Sequence, residues 1–92
     1  MFYTVSSVRP LPNYCLHVTF QNGEKKIYDV APLFVRWEPF QALHYIHGLF
    51  ETVRVDAGGY GIVWNDDLDL HCHELYERGR PIVDEQEGYP SP

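Results

Sequence analysis

The chain has few of the cationic side chains that nucleic-acid binding requires. It contains seven Lys and Arg residues against thirteen Asp and Glu residues, and its formal net charge is −6. Proteins that bind DNA or RNA usually carry a surplus of cations, because neutralising phosphates supplies much of their affinity. We therefore expect no direct binding of nucleic acid, and an acidic surface favours a basic protein partner.

Cysteine and long apolar runs are also scarce. Cys15 and Cys72 are the two cysteines, and neither belongs to a C-x-x-C pair. We find no signal peptide, and no apolar run approaches the roughly 20 residues that span a bilayer. These absences predict a cytoplasmic protein with free thiols and no membrane association. One disulfide in a secreted domain is the alternative.

What the chain does have is the composition of a small globular domain. Its 92 residues, 45% of them hydrophobic, are sufficient for one domain with a modest core. We assign residues 1–80 to that domain. Residues 81–92 form an acidic, proline-containing tail that we expect to be flexible.

The first third of the chain has the pattern of β-strands. Residues 2–9 are rich in β-branched and aromatic side chains, and residues 14–20 alternate strictly between two faces. Pro10 and Pro12 are expected to block regular structure between these strands. The outward positions of the second strand are Cys15, His17 and Thr19.

Asn22-Gly23 predicts a hairpin after the second strand, because both residues tolerate positive φ. A two-residue turn would place Ile27 on the face of Leu16. A three-residue loop with a glycine bulge would place Tyr28 and Val30 there instead. We favour the second register because it brings two apolar side chains opposite the buried set.

The remaining elements are helical segments and further strands. Proline and glycine positions predict helical segments at residues 32–36 and 39–47, and a short helix at 72–78 that Gly79 ends. Residues 50–56 and 61–64 are predicted strands. In the second helical segment, the core-facing stripe comprises Phe40, Leu43 and either Ile46 or His47. Three further apolar residues widen it: Ala42, Tyr45 and Leu49.

This order predicts an α+β fold, β-β-β-α-β-β with a short C-terminal helical turn. An antiparallel sheet with helices on one face leaves its other face open, and such a face is either polar or a partner site.

A histidine-rich segment is the first candidate for chemistry. His71-Cys72-His73 is a dense set of metal ligands, and Cys15 and His17 share a strand face. Adjacent residues point in different directions, however, and no zinc-type spacing occurs. We therefore expect no metal site.

An acidic stretch is the second candidate. Asn65, Asp67 and Asp69 match the first three ligand positions of an EF-hand loop, but Leu70 and Tyr76 stand where the loop needs glycine and glutamate. We interpret the stretch as a turn.

Catalysis is not indicated by any constellation of residues. The neighbours of Cys72 in sequence are not placed as an activating base would be, and no phosphate-binding glycine loop is present. We expect no enzyme activity, no catalytic residue and no cofactor.

Two kinds of residue are candidates for partner binding. Trp37 lies between two charged residues in a connection between helices, and tryptophan is enriched at interface hot spots. Asp66 and Asp67 are expected to be exposed at a corner that Trp64 and Leu68 fix in the core. The candidate set is Arg36, Trp37, Asp66, Asp67 and Tyr76.

Several short motifs, in order and spacing, resemble the DUF2442 family over roughly residues 3–79. They are VSSVRPL at 5–11, YCLHVTFQNGE at 14–24, YDVAPL at 28–33, IVWN at 62–65, LDL at 68–70 and ELY at 74–76.

The resemblance implies a bacterial protein with the β-β-β-α-β-β fold and no known catalytic residues. Some members of the family continue into a helix-turn-helix domain, for which this sequence has no room. Others are encoded beside small partner proteins in arrangements similar to toxin–antitoxin pairs.

Our first hypothesis is a small protein-interaction module, the antitoxin-like or adaptor member of a two-protein system, with a small and basic partner. The alternative is a small-ligand or metal-binding domain that uses the histidine-rich edge. A homo-oligomer formed through exposed edge strands is a third hypothesis.

Overall fold

The computed structural model describes residues 3–82, so the predicted flexibility of the tail beyond residue 82 concerns residues outside the described range. The described residues form seven strands and three short α-helices. The strands are β1 (Val5–Leu11), β2 (Cys15–Phe20), β3 (Lys25–Asp29), β4 (Arg54–Val55), β5 (Gly61–Asn65), β6 (Leu68–His71) and β7 (Arg80–Pro81). The helices are α1 (Leu33–Arg36), α2 (Ala42–Tyr45) and α3 (Cys72–Arg78).

The strands form two antiparallel sheets, and the predicted α+β class is confirmed. The larger sheet has the order β1-β2-β3-β7 and the smaller one the order β4-β5-β6. The prediction of one sheet differs from this arrangement, because β4, β5 and β6 pair only with one another within residues 3–82.

The hairpin between β2 and β3 has the favoured register. Tyr28 pairs with Leu16, and the Phe20 and Glu24 backbones close a three-residue loop with a hydrogen bond of 2.8 Å. Gly23 supplies the positive φ, 93°, that this loop requires. The prediction of a glycine bulge is therefore confirmed.

The connection between β1 and β2 differs from its prediction. Pro10 lies inside β1, which tolerates it because β1 is an edge strand. Asn13 and Tyr14 both have positive φ, 63° and 59°. The left-handed backbone delays the start of β2 to Cys15.

The predicted helix over residues 39–47 is helical only as far as Tyr45, and its first turn is a 3-10 turn. A 3-10 turn, Glu38–Gln41, leads into the single turn of α2, and Ile46 has an extended backbone with φ −89° and ψ 113°. The chain cannot resume the helix at Gly48, where φ is 85°. Ile46 and His47 are consequently exposed rather than part of the core-facing stripe.

The predicted strand over residues 50–56 is also largely wrong. Its first half is a 3-10 turn, Phe50–Thr52, in which both the backbone N–H and the hydroxyl of Thr52 donate to the carbonyl of Leu49. The remaining strand is the two-residue β4.

The third helix is confirmed, and two short strands around it are additions to the prediction. Helix α3 ends at Gly79 as expected, and its first turn is capped by His71, whose Nδ1 accepts from the His73 N–H at 3.0 Å. The added strands are β6, with Leu68 and Leu70 buried, and the two-residue β7.

Both sheets and all three helices contribute to one buried cluster. Trp64 and Leu68 are 3% and 2% exposed, and Trp64 Nε1 donates to the carbonyl of Phe50 at 3.0 Å. The corner at the β5–β6 turn is therefore fixed in the core, as predicted. Within residues 3–82 no helix combines the length and the apolar character that a membrane crossing needs.

Candidate partner-binding surface

Exposed apolar side chains are concentrated in one segment of the described chain. Of the five large hydrophobic residues exposed within residues 3–82, four lie between positions 35 and 46. We call these four the helical-segment surface: Val35 (89% exposed), Trp37 (44%), Tyr45 (73%) and Ile46 (56%). Scattered apolar residues are ordinary on a protein surface, whereas a local concentration marks an interaction site.

The backbone of this segment changes direction twice, and each change turns a hydrophobic side chain outward. Trp37 is extended, with φ −133°, between α1 and the following 3-10 turn, and Ile46 is extended after α2. Between them Phe40 and Leu43 are buried and anchor the segment. A hydrogen bond from Gln41 Nε2 to the carbonyl of Phe34 at 3.0 Å ties its two halves together.

An open groove runs along the same segment. Its volume is about 510 Å³, and most of its wall is apolar. The residues that line it are Glu38, Pro39, Gln41, Ala42, Tyr45 and Ile46. Small-molecule sites usually cover most of the ligand's surface. Because this groove is open, it is better suited to a side chain of another protein.

Arg36 and Trp37 lie directly at this surface. The Arg36 guanidinium is 5.3 Å from the centroid of the Trp37 ring, within the range of a cation–π contact. The Trp37 ring contacts Phe40 at 5.8 Å, and Phe40 contacts Trp64 at 6.0 Å, edge to face. A row of rings therefore connects the surface to the buried corner.

Asp66 and Asp67 follow Trp64 in the β5–β6 turn, and both are exposed. The Asp67 N–H donates to Asn65 Oδ1 at 2.8 Å, which closes the turn without using either carboxylate. Through Trp64 and the row of rings, this turn is linked to the helical-segment surface. A contact of either aspartate with a partner stays a prediction.

Tyr76 is held at the other end of β3, beside the β2–β3 hairpin. Its ring stacks on Tyr3 at 4.0 Å, and Lys26 Nζ lies 3.7 Å from the ring centroid. Its hydroxyl donates to Glu24, which raises the pKa of Tyr76 to about 12. Tyr76 is thus engaged within the chain, and its role in partner binding stays a prediction.

The histidine-rich segment does not converge on a common point. The Nδ1 of His71 caps α3, and Cys72 is buried, which raises the pKa of its thiol. Throughout residues 3–82, no group of three or more His, Cys, Asp or Glu side chains is placed to hold a metal ion.

Two further histidines lie beside a cluster of aromatic rings. The Tyr14 ring contacts Phe34 and Phe50 at 5.3 Å each and His44 at 5.6 Å. His44 and His47 line a groove of about 300 Å³ next to this cluster. The cluster joins the start of β2 to the helical segment and fixes the position of α2.

Sequence reasoning missed three of the four residues of the helical-segment surface. The sequence pattern assigns Tyr45 and Ile46 to the buried side of a helix and does not distinguish Val35. Their apolar character is visible in the sequence, but periodicity assigns such residues to the core. The exposed positions depend on where the backbone turns.

The fold and this surface define a class of protein: a small α+β domain of two antiparallel sheets with an exposed apolar helical connection. A family model described as "Protein of unknown function (DUF2442)" matches residues 5–81. The chain therefore belongs to the DUF2442 family, as its motifs implied. No curated protein and no solved structure matches the chain.

Proposed function

We propose that this domain is a non-catalytic interaction module that binds a small partner protein through the helical-segment surface. The observation that carries the proposal is the concentration of exposed Val35, Trp37, Tyr45 and Ile46 on one short segment. In a two-protein system the domain acts as the neutralising or adaptor member.

The residue types at this surface support a protein partner. Tryptophan, tyrosine and arginine are enriched at the centres of protein interfaces, and the surface combines Trp37 and Tyr45 with Arg36. Trp37 already has a defined orientation through its contacts with Arg36 and Phe40. Little conformational entropy is then lost when a partner covers the ring.

The charge of the chain favours a partner with basic residues around an apolar centre. Glu38 lines the groove, and the chain carries a net charge of −6. Charges at the rim of an interface mainly accelerate association and select the partner, while the apolar centre supplies the affinity.

The thiol of Cys72 and the hydroxyl of Tyr28 are both held in the protonated form, which supports a non-catalytic role. Burial raises the pKa of the Cys72 thiol. Burial, together with the hydrogen bond to Glu74, raises the pKa of Tyr28. Activated nucleophiles need the opposite shift, toward the ionised form.

Site-specific photo-crosslinking tests the proposal. A photoreactive amino acid replaces Val35 or Tyr45 in the full chain, expressed in the native host. A third variant carries it at Tyr60, which is 52% exposed but lies outside the segment. We expect Val35 and Tyr45 to crosslink to the same protein, and the crosslink to be lost when Trp37→Ala is introduced into the same chain.

Two results would count against the proposal. In one, positions 35 and 45 give no crosslink while the chain is folded. In the other, position 60 captures the same protein as efficiently, so that capture does not depend on the surface.

A further inference from the structure

A row of paired residues crosses all four strands of the larger sheet. Arg9 pairs with His17, His17 with Ile27, and Ile27 with Arg80. Directly paired residues of antiparallel strands point to the same side of a sheet. Leu16, which precedes His17, is fully buried, so the row lies on the side away from the core. Arg9 and Arg80 therefore stand at its two ends.

A second row adds two hydroxyls and a third cation. Ser7 pairs with Thr19, and Thr19 pairs with Lys25. Each of the three lies two residues along its strand from a member of the first row, which places it on the same side of the sheet. The outer face of the larger sheet is defined by these two rows: Ser7, Arg9, His17, Thr19, Lys25, Ile27 and Arg80.

The charge of this face is opposite to that of the whole chain. Arg9, Lys25 and Arg80 are exposed cations, whereas the net charge of the chain is −6. Asp29, at the end of β3, is a carboxylate that strand alternation also brings to this side. Its Oδ1 accepts a hydrogen bond from the N–H of Ala31 at 3.1 Å. The face is cationic on balance, and such a region attracts carboxylates.

The centre of the face is less polar than its ends. His17 and Ile27 lie in the middle of the first row, and both are half-buried. Burial lowers the pKa of His17, and the charges of Arg9 and Lys25 lower it further. The imidazole is therefore neutral at neutral pH. A molecule that covers this face meets cations at the rim and uncharged side chains between them.

The distance between the two end cations matches the repeat of an extended polypeptide. Three strand spacings separate the backbones of Arg9 and Arg80, about 14 Å in all. An extended chain rises about 3.3 Å per residue and sends alternate side chains to one side, so side chains four positions apart are separated by about 13 Å. A segment that crosses the strands can thus bring one carboxylate to each end cation.

A nucleic acid matches this face less well. Single strands are bound largely by stacking their bases on aromatic side chains. None of the seven residues that define the face, all within the described part of the chain, is Phe, Tyr or Trp. A nucleic acid also carries a charge at every nucleotide, so the acidic remainder of the chain would repel it. A short acidic stretch of protein confines its charge to the face.

We propose that the outer face of the larger sheet is a second docking surface, which binds an extended acidic segment of another protein with carboxylates at positions i and i+4. The two carboxylates pair with Arg9 and Arg80, and the residue midway between them lies over Ile27. Lys25 strengthens the attraction from the second row.

This docking surface is separate from the helical-segment surface. Phe40 and Leu43 anchor the helical segment in the same buried cluster as the inward residues of β2. The helical segment therefore packs on the inner side of the larger sheet, and the cationic face is on the other side. A domain with two such surfaces can hold an acidic protein while its apolar surface is occupied.

Chemical-shift titration of the full, isotope-labelled chain tests the proposal. The probe is the peptide Glu-Ser-Val-Ser-Glu with both termini blocked, and the control peptide has glutamine in place of both glutamates. At low salt we expect the acidic peptide to shift the amide signals of Arg9, His17, Ile27 and Arg80 to saturation. We expect the control peptide to leave them unchanged. The shifts should disappear in about 1 M salt, where the Debye length is about 3 Å.

Two variants of equal net charge separate the face from general electrostatic attraction. The first is Arg9→Gln/Arg80→Gln. The second is Arg54→Gln/Arg78→Gln, which removes two exposed cations that lie outside the face. We expect the first to raise the dissociation constant of the acidic peptide about fivefold or more, as the loss of two surface ion pairs requires. We expect the second to bind like the unaltered chain.

Several results would overturn the proposal. They are an absence of shifts at the face, equal shifts with the glutamine peptide, or equal effects of the two variants. A short single-stranded oligothymidylate that shifts these signals more than the acidic peptide would assign the face to nucleic acid instead. Trp37→Ala should not alter peptide binding, so this titration and the crosslinking of the helical-segment surface can fail independently.

Discussion

The helical-segment surface and the outer face of the larger sheet, the face turned away from the core, are both open to solvent, yet they expose opposite chemistry. The first presents Val35, Trp37, Tyr45 and Ile46 from short helices and turns. The second presents Arg9, Lys25 and Arg80 from paired strands. One region is apolar on an irregular backbone, and the other is cationic on a regular one.

The difference follows from how each backbone distributes its side chains. Strand alternation sends every second side chain inward, so the apolar residues of β2 are buried and the polar ones face out. The helical segment has no such period. It buries Phe40 and Leu43 and leaves their apolar neighbours in water. Such residues contribute little to folding, and the proposed contacts with a partner protein would cover them.

Substitution of the two tryptophans tests this comparison and is expected to give the largest change in stability. Trp64→Ala removes a buried ring and its hydrogen bond to Phe50, and we expect a loss of about 3–5 kcal/mol in the free energy of unfolding. Trp37→Ala removes a half-exposed ring, and we expect about 1 kcal/mol or less. Urea unfolding of both variants measures this. Equal costs would mean that Trp37 serves the fold rather than a partner.

A substitution at Asn13, in the connection between β1 and β2, is expected to have a smaller effect on stability. Asn13 has φ 63° and ψ 32°, and the next residue, Tyr14, packs on the helical segment. Asn13→Val forces a β-branched side chain into the left-handed region, which we expect to cost about 1–2 kcal/mol. Asn13→Gly relieves that constraint and serves as the matched control. Thermal unfolding that ranks glycine below valine would contradict this account.

The hydrogen bond that attaches α3 to the larger sheet is expected to contribute less to the free energy of unfolding than the backbone conformation at Asn13. The hydroxyl of Tyr28 donates to Glu74 Oε2 at 2.6 Å. Tyr28→Phe removes this bond at little change in volume, and we expect a loss of about 0.5–1.5 kcal/mol in chemical denaturation. Tyr45→Phe, at a residue that is 73% exposed, is the control and should leave stability unchanged. A Tyr28→Phe chain as stable as the control would show that the contact is energetically neutral.

The smallest expected effect on stability is that of the protonation of His17, which lies on the outer face of the larger sheet. Because burial and two cations lower its pKa in the folded chain, the unfolded chain binds the proton first as the pH falls below about 6.5. The stability contributed by neutral His17 is therefore present above that pH and is lost as the pH falls through the folded pKa. We expect Arg9→Gln to raise the pKa of His17 in an NMR titration, and Lys25→Gln to raise it less. No change in either variant would mean that the cations do not act on the imidazole.

Local signals in the sequence predict those elements whose conformation depends on neighbouring residues in the chain. Asn22-Gly23 predicted the hairpin and its bulge, because only residues that tolerate positive φ close such a loop. Gly79 marked the end of α3. The alternation of Leu16, Val18 and Phe20 identified the buried face of β2.

Elements that depend on distant contacts were not predictable in the same way. Strand β7 has two residues, and its position is set by pairing with Lys26 and Ile27. The spacing of Phe40, Leu43 and Ile46 has helical periodicity, but Ile46 turns outward where the backbone becomes extended. The net charge of the chain does not indicate a cationic face. A sum over all residues does not say which side chains lie together on one face of a sheet.

We propose above that the helical-segment surface binds a partner protein. Calorimetric titration of the crosslinked partner, once purified, against three chains tests it most directly: the unaltered chain, Trp37→Ala/Ile46→Ser and Tyr60→Ser. We expect the double variant to raise the dissociation constant about 30-fold or more, since truncating hot-spot residues costs about 2 kcal/mol or more. We expect Tyr60→Ser to bind like the unaltered chain. Equal affinities for all three chains would contradict the claim.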